Sequence, residues 1–141
     1  MKFAICNEIF QGWTLEDTFA FAAKTGYHAV EIAPFTIAKS VLDISPEQRR
    51  KIKELAAGHH IEISGIHWVL VQTEGLHLTH PDDAVRKRTS DYLVALVDFC
   101  ADLGGKFIVA HIGYESVDIQ AVGYPDAPPQ RLAVGRPSPS R

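Results

Sequence analysis

Two histidines follow apolar runs of the sequence, where their side chains could bind a metal ion. His67 comes directly after the run 61–66, and His111 comes after the run 107–110. Neutral imidazoles are common ligands of zinc and manganese, and side chains at the tips of neighbouring strands, about 4.8 Å apart, can converge on one ion. A metal normally takes three or four protein ligands. Spacing alone therefore favours the alternative, in which both imidazoles hydrogen-bond to loop backbone.

Three further residues stand at the same kind of position and are predicted to bind substrate. Asn7 and Glu8 follow the apolar run 2–6, and Trp68 follows His67. In a parallel barrel the functional face lies at the carboxyl ends of the strands, so these side chains would line it. For Glu8 the alternative is a solvated loop carboxylate.

These positions depend on four predicted strands, at 2–6, 28–33, 61–66 and 107–110, with three helices between them. Helix boundaries carry strong local signals. Thr14 can cap the first helix, with Asp17 three residues later as in a capping box, and Gly26 ends this helix. The segment Ser45-Pro46-Glu47-Gln48 opens the second, which ends at Gly58. Asp82 or Asp83 opens the third, ahead of Gly104-Gly105. The predicted apolar stripe of the third helix is Val85, Tyr92, Leu93, Leu96, Val97, Cys100 and Leu103.

The predicted order β-α-β-α-β-α-β is typical of an α/β fold with a parallel sheet covered on both faces. Such a series fits either an open doubly wound sheet or a segment of an eight-stranded barrel. Glu31 lies inside the second apolar run, and we expect it to point into the barrel interior toward a hydrogen-bonded or ionic partner, with a structural role favoured.

We predict a domain over 1–115. The Pro-, Gly-, Ser- and Arg-rich segment 116–141 is predicted to be an irregular tail, either native or the product of a frameshift.

Net charge, apolar runs and cysteine spacing argue against several classes of function. The formal net charge of the 141 residues is −3, which offers no general attraction to nucleic acid or to an anionic membrane. We expect a cytoplasmic protein, since the sequence has neither a membrane-spanning apolar run nor a signal peptide. Cys6 and Cys100 lack metal-type spacing and are predicted to be reduced, buried thiols. No Gly-rich phosphate loop occurs, so no nucleotide cofactor is expected.

Five segments, in order, resemble one family, the xylose-isomerase-like barrels known as sugar phosphate isomerases/epimerases. They are Phe3-Ala4-Ile5-Cys6-Asn7-Glu8, Gly26-Tyr27-His28-Ala29-Val30-Glu31-Ile32-Ala33, Ser64-Gly65-Ile66-His67-Trp68, Thr73-Glu74-Gly75-Leu76-His77-Leu78-Thr79 and Leu103-Gly104-Gly105-Lys106. The resemblance runs from Lys2 to about His111. It implies a (β/α)₈ TIM barrel, of which this chain carries the N-terminal half.

The resemblance also implies a divalent metal, Zn or Mn, at the carboxyl-end face, and isomerisation or epimerisation of a sugar or sugar phosphate by proton abstraction beside a carbonyl. By position, His67 and His111 match the strand-three and strand-four histidines of the family's zinc-type site. The family's acidic ligands lie on strands five to eight, and no matching segments follow His111. We therefore expect a truncated chain of doubtful activity on its own.

Two other functions stay open. One is an apurinic-endonuclease-like zinc phosphodiesterase, which the acidic charge balance disfavours. The other is a non-catalytic half-barrel that associates with a partner or forms a homodimer through its open sheet edges.

Overall fold

In the computed structural model, the structure describes residues 1–110, which form four strands and three helices in alternation. The elements are β1 (Ala4–Cys6), α1 (Leu15–Lys24), β2 (Ala29–Ile32), α2 (Pro46–Gly58), β3 (Glu62–His67), α3 (Asp83–Leu103) and β4 (Phe107–Val109). Short 3₁₀ turns lie in the loops, at Asn7–Ile9, Pro34–Thr36 and Val41–Asp43. The predicted element order is confirmed. The predicted tail, 116–141, lies outside the described residues.

The four strands form one parallel sheet in the order β1-β2-β3-β4. A doubly wound sheet reverses its strand order part-way, whereas a barrel adds each strand beside the previous one. The sequential order therefore selects the barrel-type alternative that periodicity left open. The helices follow the same progression, because α1 contacts α2 and α2 contacts α3.

The helix ends follow the capping signals of the sequence. Thr14 accepts a hydrogen bond from the backbone N–H of Asp17 at 3.1 Å. Ser45 and Gln48 form a reciprocal capping box ahead of α2. Asp82 caps α3, and Gly104 ends it in the left-handed region with φ 86°, where a side chain would be strained. These local hydrogen bonds satisfy backbone groups that helix ends leave without intrahelical partners.

The hydrophobic core lies between the sheet and the helices. Val30 and Ile32 of β2 are fully buried in it, together with Phe19 of α1 and Phe99 of α3. Because successive residues of a strand point to opposite faces, Glu31 must project away from the helices. That is the face which lines the interior of a closed barrel.

The buried stripe of α3 differs from its prediction at three residues. Val97 was expected to be buried, but it is 55% exposed. Phe99 and Thr89 are fully buried instead. Thr89 is satisfied there because its hydroxyl donates to the carbonyl of Val85 at 2.8 Å and accepts from the N–H of His77 at 2.7 Å.

Strands β1 and β4 are the two edges of the sheet formed by residues 1–110. Large apolar side chains lie exposed at both edges, with Phe3 53% exposed and Phe107 46% exposed. Within the same residues, none of the helices combines the length and the apolar character that crossing a bilayer requires.

Candidate functional site

Three strands end in side chains that meet at one place. Cys6 ends β1, Glu31 lies one residue before the end of β2, and His67 ends β3. The thiol sulfur, a carboxylate oxygen and an imidazole nitrogen of these residues all lie within 4.8 Å of one another. All three residues are partly buried. We call this group the Cys6–Glu31–His67 cluster.

Strand register explains why the three side chains share a face. Cys6 lies opposite Glu31 in the pairing of β1 with β2. Between β2 and β3 the register shifts at Glu31, so that β3 gains one residue before Ile66 pairs with Ile32. Such a bulge changes where the following side chains point. Continuing this register places His67 beside Ala33, on the same face as Glu31, because alternate residues of a strand share a face.

Glu31 and His67 form the closest contact of the cluster. Nδ1 of His67 lies 3.2 Å from Oε2 of Glu31, and the two side chains are 19% and 18% exposed. An ionised carboxylate only accepts hydrogen bonds, so the imidazole donates from Nδ1. The indole of Trp68 stacks on the imidazole, with ring centroids 5.3 Å apart and planes inclined by 15°. Trp68 adopts a positive φ of 57°. The imidazole is thus held by a carboxylate and packed against an aromatic ring.

Burial raises the pKa of the Cys6 thiol to about 11. Backbone hydrogen bonds from Glu8 and Asn7 lower this pKa in part, while the negative charges of Glu8 and Glu31 raise it further. Glu8 therefore lies close enough to act on the cluster electrostatically. Two carboxylates around one thiol make this a region that favours a cation.

Asn7, predicted to bind substrate, lies buried beside the cluster and joins β1 to the end of β2. Its Oδ1 accepts a hydrogen bond from the N–H of Ala33 at 2.7 Å, and its Nδ2 donates to Oγ1 of Thr36 at 2.8 Å. The Thr36 hydroxyl in turn donates to the carbonyl of Ala33 at 2.7 Å. This network gives Asn7 a positioning role in the loop, and its contact with substrate stays a prediction.

The sequence profile of a family described as xylose isomerase-like TIM barrel matches residues 19–132, which is more than half of the chain. The chain belongs to this family. The resemblance identified from the sequence is therefore confirmed, as is the partial-barrel fold class. A search of curated proteins found no match.

In this family of barrels, the carboxyl ends of the strands form the mouth. The cluster lies at that end of β1, β2 and β3, together with Glu8 and Trp68. His111, the second predicted metal ligand, lies outside the described residues. Nitrogen, oxygen and sulfur donors at these separations suit a divalent ion such as zinc, so the residues present fit a metal. Sequence reasoning missed Cys6 because its spacing to Cys100 is not of metal-site type, although its place at a strand end was a usable signal.

Proposed function

We propose that the chain is a metal-dependent isomerase or epimerase of sugars or sugar phosphates. The observation that carries this proposal is the contact between Glu31 and His67 at the carboxyl ends of neighbouring strands, in a chain of the xylose isomerase-like family. We also propose a cytoplasmic location, since the two cysteines are not joined in a disulfide.

Each residue of the mouth would have a separate role in the isomerisation. A divalent ion bound at the mouth would polarise the substrate carbonyl and so acidify the neighbouring C–H. Before an ion binds, Glu31 holds the His67 imidazole, a predicted ligand of that ion, in place at the mouth. Trp68 stacks on the ring and would restrict the access of water to it. The Glu8 carboxylate would accept hydrogen bonds from sugar hydroxyls.

Proton exchange is the sharpest test of this chemistry. Both isomerisation and epimerisation transfer the proton beside a carbonyl to a base. A base that exchanges with deuterated water returns deuterium, so solvent deuterium should enter the sugar at that carbon even when net conversion is slow. The 141-residue chain is incubated in deuterated water with Zn²⁺ or Mn²⁺ and a panel of aldoses, ketoses and their phosphates. NMR then follows deuterium at each carbon.

We expect slow, metal-stimulated exchange with at least one sugar, because β1–β4 supply one half of a complete mouth. Glu31→Gln and His67→Ala should bring the exchange to background. The matched controls are Glu62→Gln and His59→Ala. Glu62 is an exposed carboxylate at the start of β3, at the end of the strand away from the mouth. His59 directly follows α2 and also lies at the end of the fold away from the mouth. Exchange that survives both mouth substitutions, or that is absent with every sugar, contradicts the proposal.

A second candidate function is association of two half-barrels, and the exposed sheet edges favour it. Among residues 1–110, β1 and β4 each pair with a strand on one side, and the other side of such a strand is a template for pairing with another chain. A two-fold axis along the barrel axis would place β4 of one copy beside β1 of the other with the strands still parallel. The exposed rings of Phe3 and Phe107 lie at these edges. We therefore propose a homodimer that brings two cluster-bearing mouths together.

Sedimentation velocity of the 141-residue chain over a range of concentrations tests this association. We expect a dimer that dissociates on dilution and that Phe107→Lys shifts to monomer. Val94→Lys is the matched control, because Val94 is an exposed apolar residue of α3, 59% exposed and away from the edges. A monomer at every concentration contradicts this second function, and so does a dimer that only Val94→Lys disrupts.

A further inference from the structure

We propose that Cys6, Glu31 and His67 together form a thiolate-containing metal site that selects zinc-like ions over manganese and magnesium. This inference deepens the proposed function, because it names the ligands and the class of metal at the same mouth. It does not require the chain to be an isomerase. The site is assembled from the ends of three neighbouring strands.

The distances between donors are close to those that a tetrahedral ion requires. Bonds of about 2.3 Å to sulfur, 2.0–2.1 Å to nitrogen and 2.0–2.2 Å to oxygen place two ligands of one zinc ion about 3.3–3.7 Å apart. Glu31 and His67 already lie 3.2 Å apart, and no pair of donor atoms in the cluster is separated by more than 4.8 Å. Closing the longest gap takes a movement of no more than about 1.5 Å, which small χ rotations of these side chains supply.

The charges also balance when an ion is bound. In the metal-free chain the carboxylate of Glu31 accepts the Nδ1 proton of His67. A divalent ion would enter between these two atoms. The Nδ1 proton would leave to solvent and Nε2 would take one up, so that the imidazole stays neutral and offers its Nδ1 lone pair to the ion. Cys6 would release its thiol proton to solvent as its sulfur bonds to the ion. One carboxylate and one thiolate then neutralise the two positive charges, so that little net charge is left in a partly buried place.

Sulfur decides which metals the cluster prefers. Thiolate ligands select zinc and similar ions, whereas magnesium and manganese prefer oxygen ligands. Sequence reasoning left zinc and manganese as equals because it considered imidazoles alone. Cys6 removes that ambiguity. Cobalt(II) adopts the same kind of site and reports sulfur coordination through a charge-transfer absorption band.

The test is a titration of the metal-free 141-residue chain with Co²⁺, followed by absorption spectroscopy and then by competition with Zn²⁺. We expect a thiolate-to-cobalt band that Zn²⁺ abolishes and that a large excess of Mg²⁺ leaves intact. Cys6→Ser should lose the band. Glu31→Gln and His67→Ala should each weaken Co²⁺ binding at least about tenfold. The matched control is Cys100→Ser, which removes the other thiol, a buried side chain of α3, and should keep the band.

A second measurement needs no variant. Zn²⁺ should protect Cys6 of the wild-type chain from alkylation by iodoacetamide, as mapped by mass spectrometry, and should leave the alkylation of Cys100 unchanged. An unchanged spectrum in Cys6→Ser, loss of the band in Cys100→Ser, or equal alkylation of Cys6 with and without Zn²⁺ overturns the inference. Thiolate-dependent binding without deuterium exchange would support this site and contradict the isomerase proposal. Metal-stimulated exchange that persists in Cys6→Ser, in a chain whose wild type shows no cobalt band, would support the isomerase proposal and contradict this site.

Discussion

Nδ1 of His67 lies 3.2 Å from Oε2 of Glu31, although 36 residues separate the two along the chain. The contact joins β2 to β3 at the bulge where their register shifts. Both side chains are mostly withdrawn from water, so the hydrogen bond is less screened than a surface pair would be. The pair therefore contributes to the fold as well as to the mouth.

A double-mutant cycle measures that contribution. We expect Glu31→Gln and His67→Asn to be coupled by about 1 kcal/mol in the free energy of unfolding, because either change disrupts the hydrogen bond between the two side chains. Urea unfolding of the wild type, the two single variants and the double variant, all without metal, gives the coupling. Additive single effects would show that the contact carries no stability.

The helix boundaries could be predicted from the sequence because their causes are local. Thr14, Ser45 and Asp82 cap helices through residues two or three positions away, and such patterns are legible without tertiary structure. The buried stripe of α3 was less predictable. Thr89 is polar, and its burial depends on hydrogen bonds to the carbonyl of Val85 and from the N–H of His77, the second of which lies in the preceding loop.

The site could be predicted in part. His67 was identified from its position after an apolar run, and a partner for Glu31 was expected because a charge inside a strand needs one. Which residue that partner is depends on the β2–β3 register and its bulge, and neither follows from local pattern. Cys6 was assigned to packing because a cysteine without a nearby metal-type partner resembles a small hydrophobe. Its proximity to Glu31 and His67 follows from the pairing of β1 with β2.

Asn7 supports the loop at the mouth. We expect Asn7→Ala to lower the free energy of unfolding by about 1–3 kcal/mol, since it removes the acceptor of the buried N–H of Ala33 and the donor to the hydroxyl of Thr36. Chemical denaturation checks this, with Glu8→Gln as the neighbouring control, which should change stability by less than about 0.5 kcal/mol. Equal stability of Asn7→Ala and wild type would leave Asn7 with a substrate role alone.

Gly65 allows β4 to approach β3. A Cβ at this position would collide with the backbone carbonyl oxygen of Phe107 and would lie 2.7 Å from its ring. Because a backbone atom cannot rotate away, we expect Gly65→Ala to cost at least about 1–3 kcal/mol in the free energy of unfolding. Gly58→Ala is the matched control. It lies at the end of α2 with nothing within 4 Å of the added Cβ, so it should be neutral or stabilising by up to about 1 kcal/mol. Thermal or urea unfolding that ranks the two variants equally would contradict the close approach.

Cys100 should make stability depend on alkaline pH. Burial raises the pKa of its thiol above the ordinary value of 9.0, so the unfolded chain ionises this group before the folded chain does. The folded state then binds more protons than the unfolded state, and its stability falls as pH rises through 9 toward the raised pKa. Cys100→Ala removes this loss. We therefore expect the stability advantage of wild type over Cys100→Ala to shrink between about pH 7.5 and pH 10, as urea unfolding at each pH would show. Other groups that titrate in this range are common to both proteins and cancel in the difference. A constant difference would mean that the folded thiol ionises as readily as a free one.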